Sequence, residues 1–207
     1  MAHSLERLII GDEPAAWSAA GFTVTASAVV LGKTVVELHG AHGPRGILGW
    51  ALRGVDTDLD GLNTIAGSHT GLPATTHANC AFSIDHIVIE SDDPARTARA
   101  FHTIGMEERK RTVTDLPDGG AREQRFYWAG RVIVELVGPS QNPGTAFWGL
   151  AIATADLETA CTALGSNCSD PRDAVQAGRK IATVRTKELD ISVPLALMSP
   201  HVANLDP

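Results

Sequence analysis

Two side chains suited to chemistry interrupt otherwise apolar segments of this 207-residue sequence, and Glu135 is the more unusual of them. If residues 132–137 form a strand, alternation places Glu135 on the same face as Ile133 and Val137. Burial there would raise the pKa of the carboxyl group unless a cation or a hydrogen-bond donor lies near. A perturbed carboxylate in a concave site is suited to acid–base work, so we predict Glu135 as a catalytic residue.

His86 is the second candidate. It stands in the apolar segment 84–89, where alternation places it on one face with Ile84 and Val88. An imidazole changes charge near neutral pH and can contact a substrate or bind a metal. The structural alternatives are a hydrogen bond from His86 to Asp85 or to a carbonyl, and for Glu135 an ion pair with an arginine, Arg125 or Arg179.

Four further residues are predicted to contact a substrate. In the aromatic run 126–128, alternation turns either Tyr127 or its two neighbours toward the site. Arg179 follows a glycine at a strand entrance and could clamp an anion through its planar fork, unless it is a solvated hairpin end. Trp148 begins a strand, where core packing is the alternative, and Met198 lies on a strand face of small or flexible groups.

An internal repeat indicates which elements position these residues. The segment 32–40 (GKTVVELHG) lies over 130–138 (GRVIVELVG), 98 positions later, and Trp50 falls on Trp148 at the same offset. The pair at 58–59, Asp-Leu, falls on the Asp-Leu pair at 156–157. Conserved spacing over several turns indicates two copies of one structural unit.

Each copy predicts the same order of elements, and the one from 86 to 138 is the fullest. A strand at 86–89 meets an acidic N-cap and a proline, Asp93-Pro94, and a helix then runs to a C-cap at Gly105. Three strands follow, near 107–114, 121–128 and 131–137, which completes a βαβββ unit. The next unit has a strand at 147–152, a helix between Asp156 and Gly165, strands at 180–185 and 191–198, and a third strand concealed in the connection 166–177.

The N-terminal half is predicted to be an abbreviated copy. It has a short unit at 5–38, a strand at 46–53 and a stub of helix near 58–65. Glu37 takes the place of Glu135 there, and a pair with Arg7 would be purely structural. We predict four segments: an abbreviated half at 1–66, a linker at 67–82, a full domain at 83–200 and a tail at 201–207.

The repeated unit resembles the vicinal oxygen chelate superfamily, which includes glyoxalases, bleomycin-resistance proteins and extradiol dioxygenases, and within it the uncharacterised glyoxalase-like members. The similarity is strongest at 85–89 (DHIVI), 134–139 (VELVGP) and 148–152 (WGLAI). It implies an α+β fold whose paired βαβββ modules form cup-shaped mixed sheets. It also implies a small-molecule ligand in the cup and, in enzymes, lyase, isomerase or dioxygenase chemistry on an oxygenated substrate.

Metal-using members of that superfamily hold a divalent cation on strand residues of both units. His86 and Glu135 match two of these ligands, whereas Gly149 and Ala196 occupy the places of the others. Catalytic Zn sites have about three protein ligands, and Mn, Fe or Ni would want as many. Two hypotheses therefore stand: a metal-dependent enzyme with Glu135 as base or ligand, and a metal-free binding or sequestering protein.

Composition narrows the partners and the compartment. The net charge is −7 and the basic residues are scattered, so nucleic acid is not an expected partner. No segment approaches the roughly 20 apolar residues that span a bilayer, which excludes a membrane partner of that kind. Three cysteines without CxxC spacing argue against a disulfide framework and indicate a reducing cytoplasm. A monomer and a homodimer are both compatible with the sequence.

Overall fold

The computed structural model describes residues 3–67, 73–117 and 119–200, and in these ranges the strands form two mixed sheets. The predicted α+β class with paired βαβββ units is confirmed by the strand order. The expected tail at 201–207 lies outside the described residues. Within the described ranges, no helix is long and apolar enough to cross a bilayer.

The larger sheet holds eight strands in the order β11-β12-β13-β10-β6-β9-β8-β7. Its first unit comprises β6 (Ala81–Ser91), α2 (Pro94–Thr103), β7 (Lys110–Asp115), β8 (Ala121–Ala129) and β9 (Val132–Gly138). Its second unit comprises β10 (Thr145–Thr154), α3 (Leu157–Leu164), β11 (Arg172–Asp173), β12 (Lys180–Thr183) and β13 (Leu195–Met198). The two units join through β6 and β10, which pair antiparallel. The short β11 is the strand expected within the connection.

Local sequence signals explain where the two helices begin. The side chain of Asp93 accepts a hydrogen bond from the backbone N–H of Arg96 at 2.9 Å, and Pro94 follows it at the first helical position. Asp156 caps α3 in the same way, since it accepts from the N–H of Thr159 at 2.9 Å. Both helices therefore start where the sequence predicts.

The smaller sheet has the order β2-β3-β1-β4-β5 and repeats the centre of the larger one. Its elements are β1 (Leu5–Ile10), α1 (Pro14–Ala19), β2 (Ala28–Leu31), β3 (Thr34–Leu38), β4 (Ile47–Leu52) and β5 (Thr64–Ala66). As in the larger sheet, the first strand runs parallel to the last strand of its unit and antiparallel to the first strand of the next. The second unit here is reduced to β4 and β5.

The prediction of a helix near 58–65 is wrong. A turn closed by the bridge between Leu59 and Leu62 stands there, and β5 follows it. The backbone at Asp60 and Gly61 has positive φ (59° and 87°), which a right-handed helix does not allow. The likeness of the Asp-Leu pair at 58–59 to the start of α3 therefore does not extend to structure.

The repeat holds in one hairpin and shifts in the next strand. Glu37 and Glu135 have the same register against the first strands of their units, as the offset of 98 predicts. Gly49 and Gly149, however, are the residues that share a register in β4 and β10, and they lie 100 positions apart. Trp50 is therefore not the structural counterpart of Trp148.

One hydrophobic core joins the two sheets. The fully buried Trp50 of β4 lies with its ring centroid 6.3 Å from that of Phe101 in α2 and 5.2 Å from that of Phe147 in β10. The segment expected as a linker also packs in its described part, because His77 and Asn79 are buried. His77 hydrogen-bonds the N–H of Thr23 and lies 2.9 Å from the carbonyl oxygen of Val30.

A partly buried acid strengthens this junction. Asp60, in the turn before β5, accepts hydrogen bonds from Arg96 Nε at 2.6 Å, Thr97 Oγ1 at 2.5 Å and Thr145 Oγ1 at 2.6 Å. Burial alone would raise the pKa of Asp60, but these donors hold it below its ordinary value. The abbreviated half is thereby fixed to α2 and β10 of the larger sheet.

Candidate functional site

One face of the eight-stranded sheet carries His86 and Glu135, and we call it the cup face. Residues paired across neighbouring strands share a face, so the pairing of β6, β8, β9, β10 and β13 shows which of their side chains lie on the cup face. Its members near the centre are His86, Val88, Gln124, Phe126, Trp128, Ile133, Glu135, Gly149, Ala151 and Ala196. The opposite face is the core, on which Phe101 of α2 contacts Tyr127 of β8.

His86 and Glu135 meet at the centre of the cup face. The distance from His86 Nε2 to Glu135 Oε2 is 3.7 Å, and their side chains are 18% and 15% exposed. Gln124 Nε2 donates a hydrogen bond to Glu135 Oε1 at 2.7 Å. The sequence did not predict Gln124, because a glutamine in a hairpin strand carries no signal of its own. Glu135 therefore has one oxygen held by an amide and the other turned to the imidazole.

A buried ion pair supports His86 from behind. Asp85 Oδ2 lies 2.9 Å from His86 Nδ1, as one structural alternative expected, and Arg179 Nη2 donates to Asp85 Oδ1 at 2.6 Å. The register of β6 against β10 shifts at Asp85, which frees this side chain from strict alternation. The Arg179 and Asp85 side chains are only 2% and 5% exposed. Burial would raise the pKa of Asp85, but the hydrogen bonds from His86 and Arg179 hold it below its ordinary value.

This arrangement defines the chemistry that the imidazole can perform. Because Asp85 is ionised, its bond to Nδ1 assigns the proton of a neutral His86 to that nitrogen. Nε2 is then a hydrogen-bond acceptor that faces Glu135 and the open side of the sheet. An imidazole oriented by a carboxylate in this way can accept a proton from a ligand placed beside it.

The same residues do not fit a divalent metal. Among the described residues, no group of three His, Cys, Asp or Glu side chains could hold a cation. The places of the missing ligands lack donors, since they are Gly149 and Ala196, and a Cβ added at Gly149 would lie 2.8 Å from the carbonyl oxygen of Pro194. A site with two protein ligands falls short of the roughly three that catalytic sites use.

Tyr127 is not on the cup face, so the expectation that it contacts a substrate is wrong. It pairs with Val134, is 2% exposed and packs edge-on against Phe101 at 5.1 Å. Burial, reinforced by the nearby Glu108 carboxylate, raises the pKa of Tyr127 to about 12. The alternation of this strand turns the other pair, Phe126 and Trp128, toward the cup.

The other three residues that were predicted to contact a substrate lie in different environments. Arg179 is not a clamp for a ligand anion, because its buried guanidinium binds Asp85 and donates to the carbonyl oxygen of Ser199 at 2.7 Å. Met198 is 3% exposed and offers no open surface. Trp148 is 50% exposed and stands at a register shift between Phe147, which packs into the core, and Gly149, so alternation does not assign its side chain to either face.

Neither arginine that was considered as a partner for Glu135 reaches it in the structure. Arg125 pairs with Glu123 and Glu108, and Arg179 pairs with Asp85. The expected pair of the abbreviated half is present, since Arg7 Nη1 lies 3.1 Å from Glu37 Oε1. Glu37 also lies 3.5 Å from His39 Nε2, so each of the two equivalent carboxylates faces an imidazole, and only Glu37 is paired with an arginine as well.

A cavity adjoins the outer end of the cup face. It has a volume of about 570 Å³ and extends from Trp128 to the segment after α2, with His3, Glu107 and Arg109 in its wall. The indole of Trp128 is 45% exposed and borders both surfaces. Room for a small molecule therefore exists beside Trp128, at the edge of the face that carries His86 and Glu135.

Solved structures of low sequence identity are similar to part of this chain, each with a TM-score below 0.5. No protein-family model and no curated protein matches the chain. Methylmalonyl-CoA epimerase from Mycobacterium tuberculosis is 18% identical with a TM-score of 0.49, over 64% of this chain and 95% of that one. A variant of the Streptomyces coelicolor methylmalonyl-CoA epimerase in complex with 2-nitronate-propionyl-CoA is 19% identical with a TM-score of 0.45, over 57% and 97%. The hypothetical protein BH1468 from Bacillus halodurans C-125 is 17% identical with a TM-score of 0.44, over 57% and 94%.

Proposed function

We propose that the chain binds an oxygenated small molecule on the cup face without a resident metal. One observation carries the proposal: His86 and Glu135 are each held by protein hydrogen bonds and face one another at 3.7 Å, beside Gly149 and Ala196. A pair of this kind offers two hydrogen-bond acceptors, an imidazole nitrogen and a carboxylate, to a hydroxyl group. Of the two hypotheses from the sequence, the metal-free binding protein fits this geometry better.

The walls of the cup indicate what surrounds the polar group of the ligand. Phe126 and Trp128 project from this face, and the indole of Trp128 is 45% exposed. Aromatic walls with a few convergent polar groups are typical of small-molecule sites. We therefore expect a compact ligand with an apolar or aromatic body and one hydroxyl group that reaches His86 and Glu135.

The first experiment measures metal in the purified full-length chain and in the variant His86→Ala. We expect Zn, Mn, Fe and Ni to be far below one per chain in both proteins, because only two ligands are available. Stoichiometric metal in the native chain that is lost in His86→Ala would overturn the metal-free proposal and favour a metal-dependent lyase, isomerase or dioxygenase.

The second experiment tests the location of the site by tryptophan fluorescence. A panel of phenols is titrated into the native chain, and any binder is titrated again into Glu135→Gln and Tyr127→Phe. Glu135→Gln should weaken binding about tenfold, which corresponds to roughly 1.4 kcal/mol for one charged hydrogen bond. Tyr127→Phe is the matched control on the opposite face and should bind normally. Equal loss in both variants would show that the cup face is not the site.

A metal-free enzyme is a second candidate, favoured by the Asp85–His86 pair. Nε2 of His86 would take a proton from a ligand carbon next to a carbonyl group, and the imidazolium, stabilised by Asp85, would return that proton to the product. The test is exchange of such a proton for deuterium in D2O, followed by NMR. Exchange that persists in His86→Gln would refute this role.

The cellular setting is also a proposal. We place the protein in a reducing cytoplasm on its cysteine pattern, with a small molecule as its ligand and with neither nucleic acid nor membrane as a partner. Monomer and homodimer are distinguished by sedimentation velocity of the full chain.

A further inference from the structure

Two of the three cysteines lie together although the sequence spacing gave no sign of a pair. The Sγ atoms of Cys161 and Cys168 are 2.9 Å apart, and both residues are partly buried against the core. Cys80 is also partly exposed and lies at a different place, before β6. Two thiols in contact differ from isolated cysteines because each can act on a sulfur bonded to the other.

The backbone explains why the thiols meet. Cys161 lies in α3, which ends at Gly165 with a positive φ of 55°. A 3₁₀ turn at 165–167 then reverses the chain, and the N–H of Cys168 donates to the carbonyl oxygen of Gly165 at 3.1 Å. Cys168 is held in turn by a bridge to Val184 beside β12. The pair is thus fixed by a helix end and a strand, not by chance contact of free side chains.

We propose that Cys161 and Cys168 form a site of reversible oxidation, at which a small disulfide such as oxidised glutathione converts the two thiols into an intramolecular disulfide. This inference does not rest on the proposed function of the cup face. It names a modification of α3 on the opposite side of the sheet.

The reaction proceeds by two thiol–disulfide exchanges. The Cys161 thiolate attacks one sulfur of the glutathione disulfide, whose S–S bond breaks and releases one glutathione thiolate. Cys168 then loses its proton to solvent and attacks the Cys161 sulfur, which expels the second glutathione thiolate. Two electrons pass from the protein sulfurs to glutathione, and the two thiol protons end on the released glutathione molecules.

Burial slows the exchange at Cys168. Burial, and the contact with Cys161, raise the pKa of the Cys168 thiol to about 12. Cys168 therefore holds little thiolate near neutral pH. We expect the second exchange to be slow near neutral pH and to accelerate as the pH rises.

The disulfide should stabilise the chain. It would close a short loop that runs from α3 to the start of the connection, which removes conformational freedom from the unfolded chain. For a protein of this size the expected gain is a rise in Tm of about 5 °C. The same rise should appear in Cys80→Ser, which keeps the pair.

The experiment treats the full-length chain with oxidised glutathione, alkylates it with iodoacetamide and digests it with trypsin. Cys161 and Cys168 lie in one tryptic peptide, which ends at Arg172, and Cys80 lies in another, which ends at Arg96. We expect the first peptide to lose two hydrogens and take no alkyl group, while the second carries one. Reduction with dithiothreitol should restore alkylation of both cysteines in the first peptide.

Controls make each outcome decisive. Cys161→Ser and Cys168→Ser should remove both the internal disulfide and the rise in Tm, whereas Cys80→Ser should retain both. A stable mixed disulfide with glutathione on Cys161, a disulfide between chains, or full alkylation of the pair after treatment would each overturn the proposal. Circular dichroism of the serine variants shows that the fold is kept, since serine preserves the shape of cysteine.

Discussion

Replacement of Arg179 by methionine should cost much of the stability of this fold. The guanidinium has only 2% of its side chain exposed, and it donates to Asp85 at 2.6 Å and to the Ser199 carbonyl oxygen at 2.7 Å. Methionine keeps the apolar volume but leaves a carboxylate, 5% exposed, without its cationic partner. Removal of one partner of a buried pair costs about 3 to 5 kcal/mol, and we expect about 4 kcal/mol here.

The measurement is urea unfolding at pH 7, followed by tryptophan fluorescence, for the native chain and for Arg179→Met. The matched control is Arg111→Met, which removes the ion pair to Glu123 from a side chain that is 49% exposed. Exposed pairs contribute roughly 0 to 1 kcal/mol, so the control should unfold almost as the native chain does. Similar losses in both variants would refute the claim that burial makes the Arg179 pair special.

The dependence on pH gives a second test of the same reasoning. In the native chain the pKa of Asp85 is lowered, so its contribution to stability is present above the unfolded pKa and is lost as the pH falls through the folded pKa. Without Arg179, burial dominates and favours the protonated acid. The stability gap between the native chain and the variant should therefore narrow as the pH falls from 7 to about 4. A gap that stays constant would contradict this account.

Two further substitutions test the packing of the site and of the junction. Gly149→Ala should cost about 1 to 3 kcal/mol in urea unfolding, because its Cβ would lie 2.8 Å from the Pro194 carbonyl oxygen, whereas Gly43→Ala, which meets nothing within 4 Å, should be nearly neutral. Asp60→Asn keeps the shape of the acid but loses charged hydrogen bonds to three donors, and should lower the free energy of unfolding by about 2 kcal/mol. The exposed Asp56→Asn is its control in thermal unfolding, and equal shifts in Tm would contradict the role given to Asp60.

Features that depend on a few neighbouring residues were predictable from the sequence. The starts of α2 and α3 follow from the acidic caps Asp93 and Asp156, whose bonds to the backbone form within one turn. The hairpin at Gly130 follows from a glycine with a positive φ of 69°. These signals are local, so no knowledge of the rest of the chain was needed.

Features that depend on the orientation of a whole strand were not predictable from the sequence. Alternation along 126–128 states that Tyr127 faces away from its two neighbours, but it does not say which side holds the core. That side is set by α2, whose Phe101 covers Tyr127 and buries it. The predicted helix near 58–65 failed for a related reason, because the backbone at Asp60 is fixed by the junction with the other sheet and not by its own neighbours.

The ion pair that holds His86 in place was the least predictable feature of the candidate site. Asp85 and Arg179 are 94 positions apart, and they meet only because a register shift in β6 redirects the acid. Arg179 was predicted as a clamp for an anion, with a solvated hairpin end as the alternative, and neither interpretation includes a buried partner. A single sequence contains no information on such a contact, because neither residue type nor spacing identifies the partner.

The aromatic contacts between the two sheets determine how truncated fragments of this protein would behave. Trp50 belongs to the first sheet, yet its fully buried ring rests on Phe101 and Phe147 of the second. A fragment that ended before residue 81 would expose that indole to water, and a fragment that began there would expose the two phenyl rings. The abbreviated N-terminal half is thus a required part of the shared core, although it looks like a dispensable duplicate. We expect the two sheets to unfold in a single cooperative transition.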